Sequence, residues 1–337
     1  MVNKIKLAQL GPIEQLEWDS LSSINLIIGK NGTGKTLLLK MLYASIRSIE
    51  GYGRGNEPRS LAQLLFDKLY WTFQVDKIGE LVRKGSEEPL FFDLMIDDEN
   101  FHFSFGKDTE KQINDVSGAI TRSDNSIFFP AKEVLSLFHV ILKTREVDKM
   151  FGFDDTYYDL VKALQATPSR GRNYDAFVQS RQRLEDILSG KVEFDKETNQ
   201  WFFKKGNRKF SINLTAEGIK KIAMLDTLLG NRYISTGSII FIDEPESALH
   251  PEAIGDFMDI VYLLSQAGIQ FFIATHSYFV IKKLYLISQQ EKTSLPVLSL
   301  GKAEECFKSN LLQGLPENPI VDESIALYEQ EIELSWQ

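Results

Sequence analysis

The stretch from Ser23 to Leu42 constrains this chain more than any other. Ser23-Ile24-Asn25-Leu26-Ile27-Ile28 reads as a buried strand, and Thr36-Leu37-Leu38-Leu39-Lys40-Met41-Leu42 reads as a helix. Between them, Gly29-Lys30-Asn31-Gly32-Thr33-Gly34-Lys35-Thr36 matches G-x-x-x-x-G-K-[ST] without a departure. A loop of this kind turns consecutive backbone N–H groups toward one anion, and the following helix adds the partial positive charge of its N-terminus. Chance supplies the four fixed residues in roughly one chain per hundred of this length, and the flanking strand and helix reduce that further. The segment therefore reads as a nucleotide-phosphate loop. Lys35 is expected on the β- and γ-phosphates, with the Thr36 hydroxyl on Mg²⁺.

At 337 residues the chain is long enough for two domains, or for one large α/β domain carrying an insertion. Thirty-eight Lys and Arg against 47 Asp and Glu give a net charge of −9, which argues against a general polyanion-coating protein but leaves room for a local basic stripe. Cys306 is the only cysteine, so an intramolecular disulfide and a Cys-built zinc site are both excluded. No signal-type apolar start and no run of about 18 apolar residues occurs, so a soluble, cytoplasmic chain without a membrane partner is expected.

Hydropathy patterning extends the α/β reading. Gly11-Pro12 marks a turn between two strand-like segments, the second being Ile13 to Trp18. A helical pattern runs from Pro58 to about Lys84, and Pro89 to Ile96 with Asn100 to Phe105 reads as a hairpin joined at Asp97-Asp98-Glu99. Ser126 to Phe129 is a short strand, and helices are expected near Asp155 to Gln165 and Tyr174 to Leu188. Lys191 to Ile212 alternates as short antiparallel strands do. The last third alternates helix and strand: Ala216 to Leu229, Ser238 to Asp243, Pro251 to Gln266, Ile269 to Ala274 and Tyr278 to Ser288. Such alternation predicts a mainly parallel sheet covered on both faces.

Two strand ends carry further chemistry. Ser238-Ile239-Ile240-Phe241-Ile242-Asp243-Glu244-Pro245-Glu246 is an apolar strand ending in carboxylates, where open α/β sheets place ligand-facing groups. Asp243 is placed to hold Mg²⁺ through water, and Glu244 to orient or deprotonate an attacking water. One strand later, Ala274-Thr275-His276-Ser277 puts His276 at the corresponding end, suited to a γ-phosphate contact. His102 and His139 read as structural, and His250 as a turn or interface residue.

The three motifs, with Glu244-Pro245-Glu246-Ser247-Ala248-Leu249-His250-Pro251 included, resemble the ABC-type ATPase heads. More narrowly, they resemble the overcoming-lysogenisation-defect ATPases and their stand-alone relatives. The resemblance covers the first forty residues and the last 120 or so. It implies ATP and Mg²⁺ as ligands and a P-loop NTPase fold: a mainly parallel central sheet, an antiparallel β portion and a helical insertion. On this reading the chain is a single ABC-type head, with 1–55 and 210–337 as the nucleotide core and 56–209 as the insertion.

The resemblance also implies that Ser247 to Pro251 lies at a dimer contact between two ATP sites. Leu214-Thr215-Ala216-Glu217-Gly218-Ile219-Lys220-Lys221 looks like the signature loop that reaches the partner's ATP, with Thr215, Ala216, Glu217 and Gly218 as its contacts. ABC heads generally carry Ser where Ala216 stands. Thr215 could supply the hydroxyl instead, or Gly218 and the helix N-terminus could serve through backbone N–H groups. A homodimer or higher even oligomer is expected. So is turnover that is slow or dependent on a partner.

The chain after Ser277 is too short for the nuclease domain of the larger relatives. The resemblance therefore implies a separate effector, a nuclease or toxin, in bacterial anti-phage defence. Arg170, Arg172, Arg181, Arg183, Lys204, Lys205, Arg208 and Lys209 are candidates for a nucleic-acid stripe, or else solvated faces and strand edges. The alternatives are a DNA-repair or chromosome-maintenance ATPase of the RecF or SMC-like kind and a transporter nucleotide-binding subunit. No heptad run long enough for a coiled coil is present, and no L-S-G-G-Q occurs.

Overall fold

The computed structural model describes residues 1–54, 59–118, 121–168, 174–301 and 305–335. The chain opens with β1 (Val2–Leu10), β2 (Ile13–Trp18), β3 (Ile24–Gly29) and α1 (Lys35–Gly51). Next come α2 (Leu61–Phe73), β4 (Leu90–Ile96), β5 (Glu99–Phe105), β6 (Asp115–Ser117) and β7 (Ile127–Phe129). Helices α3 (Phe138–Leu142), α4 (Asp155–Leu164) and α5 (Asp175–Leu188) precede β8 (Lys191–Asp195), β9 (Gln200–Lys205), β10 (Arg208–Ser211) and α6 (Glu217–Gly230). The last third is β11 (Ile239–Asp243), α7 (Pro251–Gln266), β12 (Gln270–Thr275), α8 (Tyr278–Glu291), β13 (Pro296–Leu300), β14 (Cys306–Asn310) and α9 (Pro319–Ser335).

The central sheet has the order β14-β13-β3-β12-β11-β7, parallel throughout except for the edge strand β14. Successive side chains of a strand point to opposite faces, and here that alternation divides two cores. Ile27, Phe241, Phe272 and Ala274 face one side, where they meet α1 and the antiparallel sheet. Leu26, Ile28, Ile240, Ile242, Phe271 and Ile273 face the other, beneath the helices of the second half. Both faces are dry, which is why these strands read as unbroken apolar runs.

A second sheet, β2-β1-β4-β5-β6, is wholly antiparallel. It covers α1, whose Leu38, Leu39, Met41, Leu42, Ile46 and Ile49 are fully buried. Each such side chain contributes about 1.5–3 kcal/mol relative to exposure. The β4–β5 turn is Asp97-Asp98, with φ of 49° and 66°; two positive φ values give a primed turn, whose twist matches the hairpin's. The helical pattern over Pro58 to Lys84 resolves into α2, started by a Ser60–Gln63 capping box and stopped by Gln74 at φ 52°, and a short 3₁₀ turn at Ile78–Leu81. A third sheet, β10-β9-β8, buries Trp201 and Phe203.

The segment 56–209 is interleaved with the rest of the molecule. β4 pairs with β1, and β7 joins the parallel sheet beside β11.

Candidate functional site

The phosphate loop is built by a close strand approach at one end and a helix start at the other. A Cβ on Gly29 would lie 2.4 Å from the Leu300 carbonyl oxygen of β13, so only glycine fits where the loop leaves β3. Gly34, at φ 98°, is the N-cap of α1 and offers no side chain to its first N–H groups, which therefore stay available to an anion. Lys30, Asn31 and Gly32 are exposed along the loop, and the Thr33 hydroxyl ties it by donating to the Lys30 carbonyl at 2.9 Å. The buried Lys35 ammonium donates to the carbonyls of Gly29 at 2.8 Å and Lys30 at 3.0 Å. Burial lowers its pKa, against the pull of Asp243, Glu244 and Glu246.

The second half of the site comes from β11 and β12. The Thr36 hydroxyl donates to Asp243 Oδ2 at 2.9 Å and Oδ1 at 3.2 Å. Burial raises the Asp243 pKa, the Thr36 hydrogen bond opposes this, and Glu244 adds to the rise. A hydroxyl and a carboxylate side by side are hard oxygen donors that fit Mg²⁺. Among the described residues no group of three or more His, Cys, Asp or Glu gathers as a metal site, so an ion here would complete its shell with phosphate oxygens and water.

Glu244 is partly exposed, and its Oε1 stands 3.4 Å from His276 Nδ1. Glu246 closes the same corner, with Oε1 accepting the Thr275 hydroxyl at 2.8 Å and the His276 N–H at 3.2 Å. The β12 end therefore delivers His276 onto the carboxylates of the β11 end. His250 is the N-cap of α7, its Nδ1 accepting the Glu252 N–H at 3.4 Å.

The signature candidate differs in detail from a helix capped by Thr215. Ala216 is the N-cap of α6 and makes no side-chain cap, while the Thr215 hydroxyl donates to the Ser211 carbonyl at 3.3 Å. The N–H groups of the first turn of α6 are thus left without a side-chain acceptor. Glu217 is exposed, Leu214 is 83% exposed, and Gly218 packs on the loop after β11, where a Cβ would lie 2.6 Å from the Ala248 carbonyl oxygen.

Two contributions had no sequence signal. Lys40, one turn after Thr36, pairs with Asp154 at 2.6 Å, which brings the N-terminus of α4 against α1. Lys221, in α6, donates to the Glu244 carbonyl at 2.6 Å. Both lysines are partnered by residues far away in sequence, which local pattern does not reveal.

The described basic residues divide between α5, which carries Arg181 and Arg183, and the three-stranded sheet, which carries Lys204, Lys205, Arg208 and Lys209. Arg181 is held by Asp226 at 2.7 Å, and Lys209 by Asp195 at 2.9 Å. Lys204 stands opposite Lys191 and Lys209 on the three-stranded sheet, and Arg170 and Arg172 lie outside the described residues. No described helix is long and apolar enough to cross a membrane.

A search of curated proteins found no match. Among solved structures the chain is similar to an SMC head bound to the C-winged helix domain of ScpA, with 12% identity, a TM-score of 0.58, and 92% of this chain and 98% of that chain covered. It is also similar to the Smc head domain of Pyrococcus furiosus with an extended coiled coil, bound to the C-terminal domain of ScpA. There the identity is 10%, the TM-score 0.50, and 98% of each chain is covered. These likenesses show the fold of an ABC-type P-loop ATPase head. The family described as "AAA domain, putative AbiEii toxin, Type IV TA system" matches residues 24–282, more than half of the chain, and the chain belongs to that family.

Proposed function

We propose that this chain hydrolyses ATP with Mg²⁺, closes on a second copy around two nucleotides, and controls a separate nuclease or toxin effector in cytoplasmic anti-phage defence. The observation that carries this reading is the Thr36–Asp243 contact beside the Glu244–His276 pair. Bound Mg²⁺ would neutralise charge on the β- and γ-phosphates. The Thr36 hydroxyl and the Asp243 carboxylate would hold it. Lys35 meets phosphate charge, and Glu244 orients or deprotonates the attacking water. His276 aims the Glu244 carboxylate and faces the γ-phosphate. The start of α6 and the two residues before it, from Thr215 to Gly218, serve the partner copy's phosphate through backbone N–H groups, because Ala216 brings no hydroxyl.

The description of the family names a toxin and a type IV toxin–antitoxin system, which supports a defence role with a second protein. Kinship to the overcoming-lysogenisation-defect ATPases is part of the same proposal and rests on the motifs around Glu246 and His276. The likeness to SMC heads favours a second reading, a chromosome-maintenance ATPase. Against it, the longest described helix between α2 and β11 is 14 residues, and a helix of that length spans only about 21 Å, too short for a coiled-coil arm.

Purification of Glu244→Gln with and without ATP, with the mass of the complex and the identity of bound protein determined, tests the proposal. A nuclease or toxin held only with ATP is expected. A chromosome-organising partner would favour the second reading, and a membrane permease would favour a transporter subunit.

A further inference from the structure

Lys221 is a buried cation for which nucleotide chemistry gives no role. It lies in the first two turns of α6, 3% exposed, and donates to two backbone carbonyls, Glu244 at 2.6 Å and Ala131 at 3.2 Å. Burial lowers its pKa to about 8, against the pull of Glu246, Asp243, Glu244 and Glu217. A buried ammonium is expensive, and an apolar side chain of similar volume would avoid the penalty. Something at this position therefore favours the charge.

The residue it grips is itself constrained. Glu244 has φ 49°, a left-handed conformation that a side-chain-bearing residue holds only when its surroundings fix it. Its N–H donates to the Ala274 carbonyl of β12 at 2.9 Å, and its carbonyl accepts the Ser247 N–H at 3.0 Å as well as Lys221. The backbone carrying this carboxylate is thus clamped by β12 on one side and α6 on the other. Gly218, on the same helix, packs against the Ala248 carbonyl, so α6 touches both ends of the loop from Glu244 to Ala248.

We propose that Lys221 is a positioning residue for Glu244, fixing the carbonyl of the base from α6 and so aiming its carboxylate. This rests on the ATPase reading and extends it. The helix whose start serves the partner's nucleotide also sets the base of its own chain, and a shift of α6 reaches Glu244 directly.

The test uses the full chain: wild type, Lys221→Met, Lys221→Arg, Glu244→Gln and the Lys221→Met/Glu244→Gln double variant. Steady-state hydrolysis, binding of a non-hydrolysable ATP analogue and melting temperature are measured for each. Lys221→Met is expected to lower kcat by about 10- to 100-fold, the scale of a misplaced catalytic group, with KM and analogue affinity within about twofold. Lys221→Arg should recover most of the loss, and Lys221→Met should add little in the Glu244→Gln background. Wild-type kcat in Lys221→Met overturns the proposal, and so does an equal loss in both backgrounds. Should Lys221→Met fail to fold, Lys221→Gln takes its place under the same criteria. Failure of the ATPase reading looks different: wild type and Glu244→Gln then turn over alike, or neither does, and Lys221 has no base to position.

Discussion

The Thr36 hydroxyl and the Asp243 carboxylate meet at 2.9 Å although 207 positions separate them in sequence. Strand register makes the meeting possible. Ala274 of β12 stands level with Ile27 of β3 on one side and Asp243 of β11 on the other. The loops that leave these three strands therefore open at one edge of the sheet, the carboxyl edge where α/β folds place their ligands.

Replacing Lys35 tests the phosphate loop. Its ammonium bonds only loop carbonyls, which water can reach once the side chain is shortened. Lys35→Ala is expected to abolish ATP binding while the melting temperature stays near that of wild type. Titration with a labelled ATP analogue checks this, and unchanged affinity would contradict the assignment.

A buried charge cluster joins α1 to the inserted segment, and it supports a stability prediction. Asp159 accepts the Tyr43 hydroxyl at 2.6 Å and Lys68 at 2.9 Å, with Arg47 3.8 Å away. Despite burial, these cations hold its carboxyl below the usual range. Asp159→Asn removes one carboxylate from the cluster, while Lys68 keeps Asp155 at 2.7 Å and Arg47 keeps Glu50 at 2.7 Å, so the loss should be about 1.5–3 kcal/mol, the scale of hydrogen bonds to charged groups. Denaturant unfolding measures it; a loss below about 1 kcal/mol, the level of an exposed pair, would show that the cluster carries little stability.

The sequence made the local parts of this architecture readable and hid the long-range ones. The loop from Gly29 to Thr36, the acidic end of β11, the Asp97-Asp98 turn and the bounds of α7 each follow from residues within a few positions of one another. β13 was not legible as a strand of the parallel sheet, because only its pairing with β3 shows it. Neither was the joining of β4 to β1, which draws the segment 56–209 into the sheet over α1. Lys220 and Lys221 are charged residues that local pattern gives no reason to bury, yet α6 is covered on nearly every side and both are buried. A lysine that bonds a distant carbonyl leaves no periodic trace.

Composite sites can be tested at Leu214. Gly218 is a poor position to alter, because any side chain there meets the Ala248 carbonyl of its own chain. Leu214, 83% exposed, makes little packing within the subunit, so Leu214→Asp should keep stability within about 0.5 kcal/mol. It should retain ATP binding and lose hydrolysis. An equal mixture with Lys35→Ala subunits should regain about a quarter of the wild-type rate, since half of randomly paired dimers carry one whole site. No recovery at any ratio, with both variants folded and associating, would point to a self-contained site.

Phosphate release by wild type and Glu244→Gln at saturating ATP and Mg²⁺, with retained nucleotide identified, tests the central claim most directly. The glutamine keeps the size of the side chain and a hydrogen bond but cannot take a proton. Release should fall about 100-fold or more, with ATP rather than ADP retained on the variant. Equal release by the two proteins would contradict the assignment of Glu244 as the base.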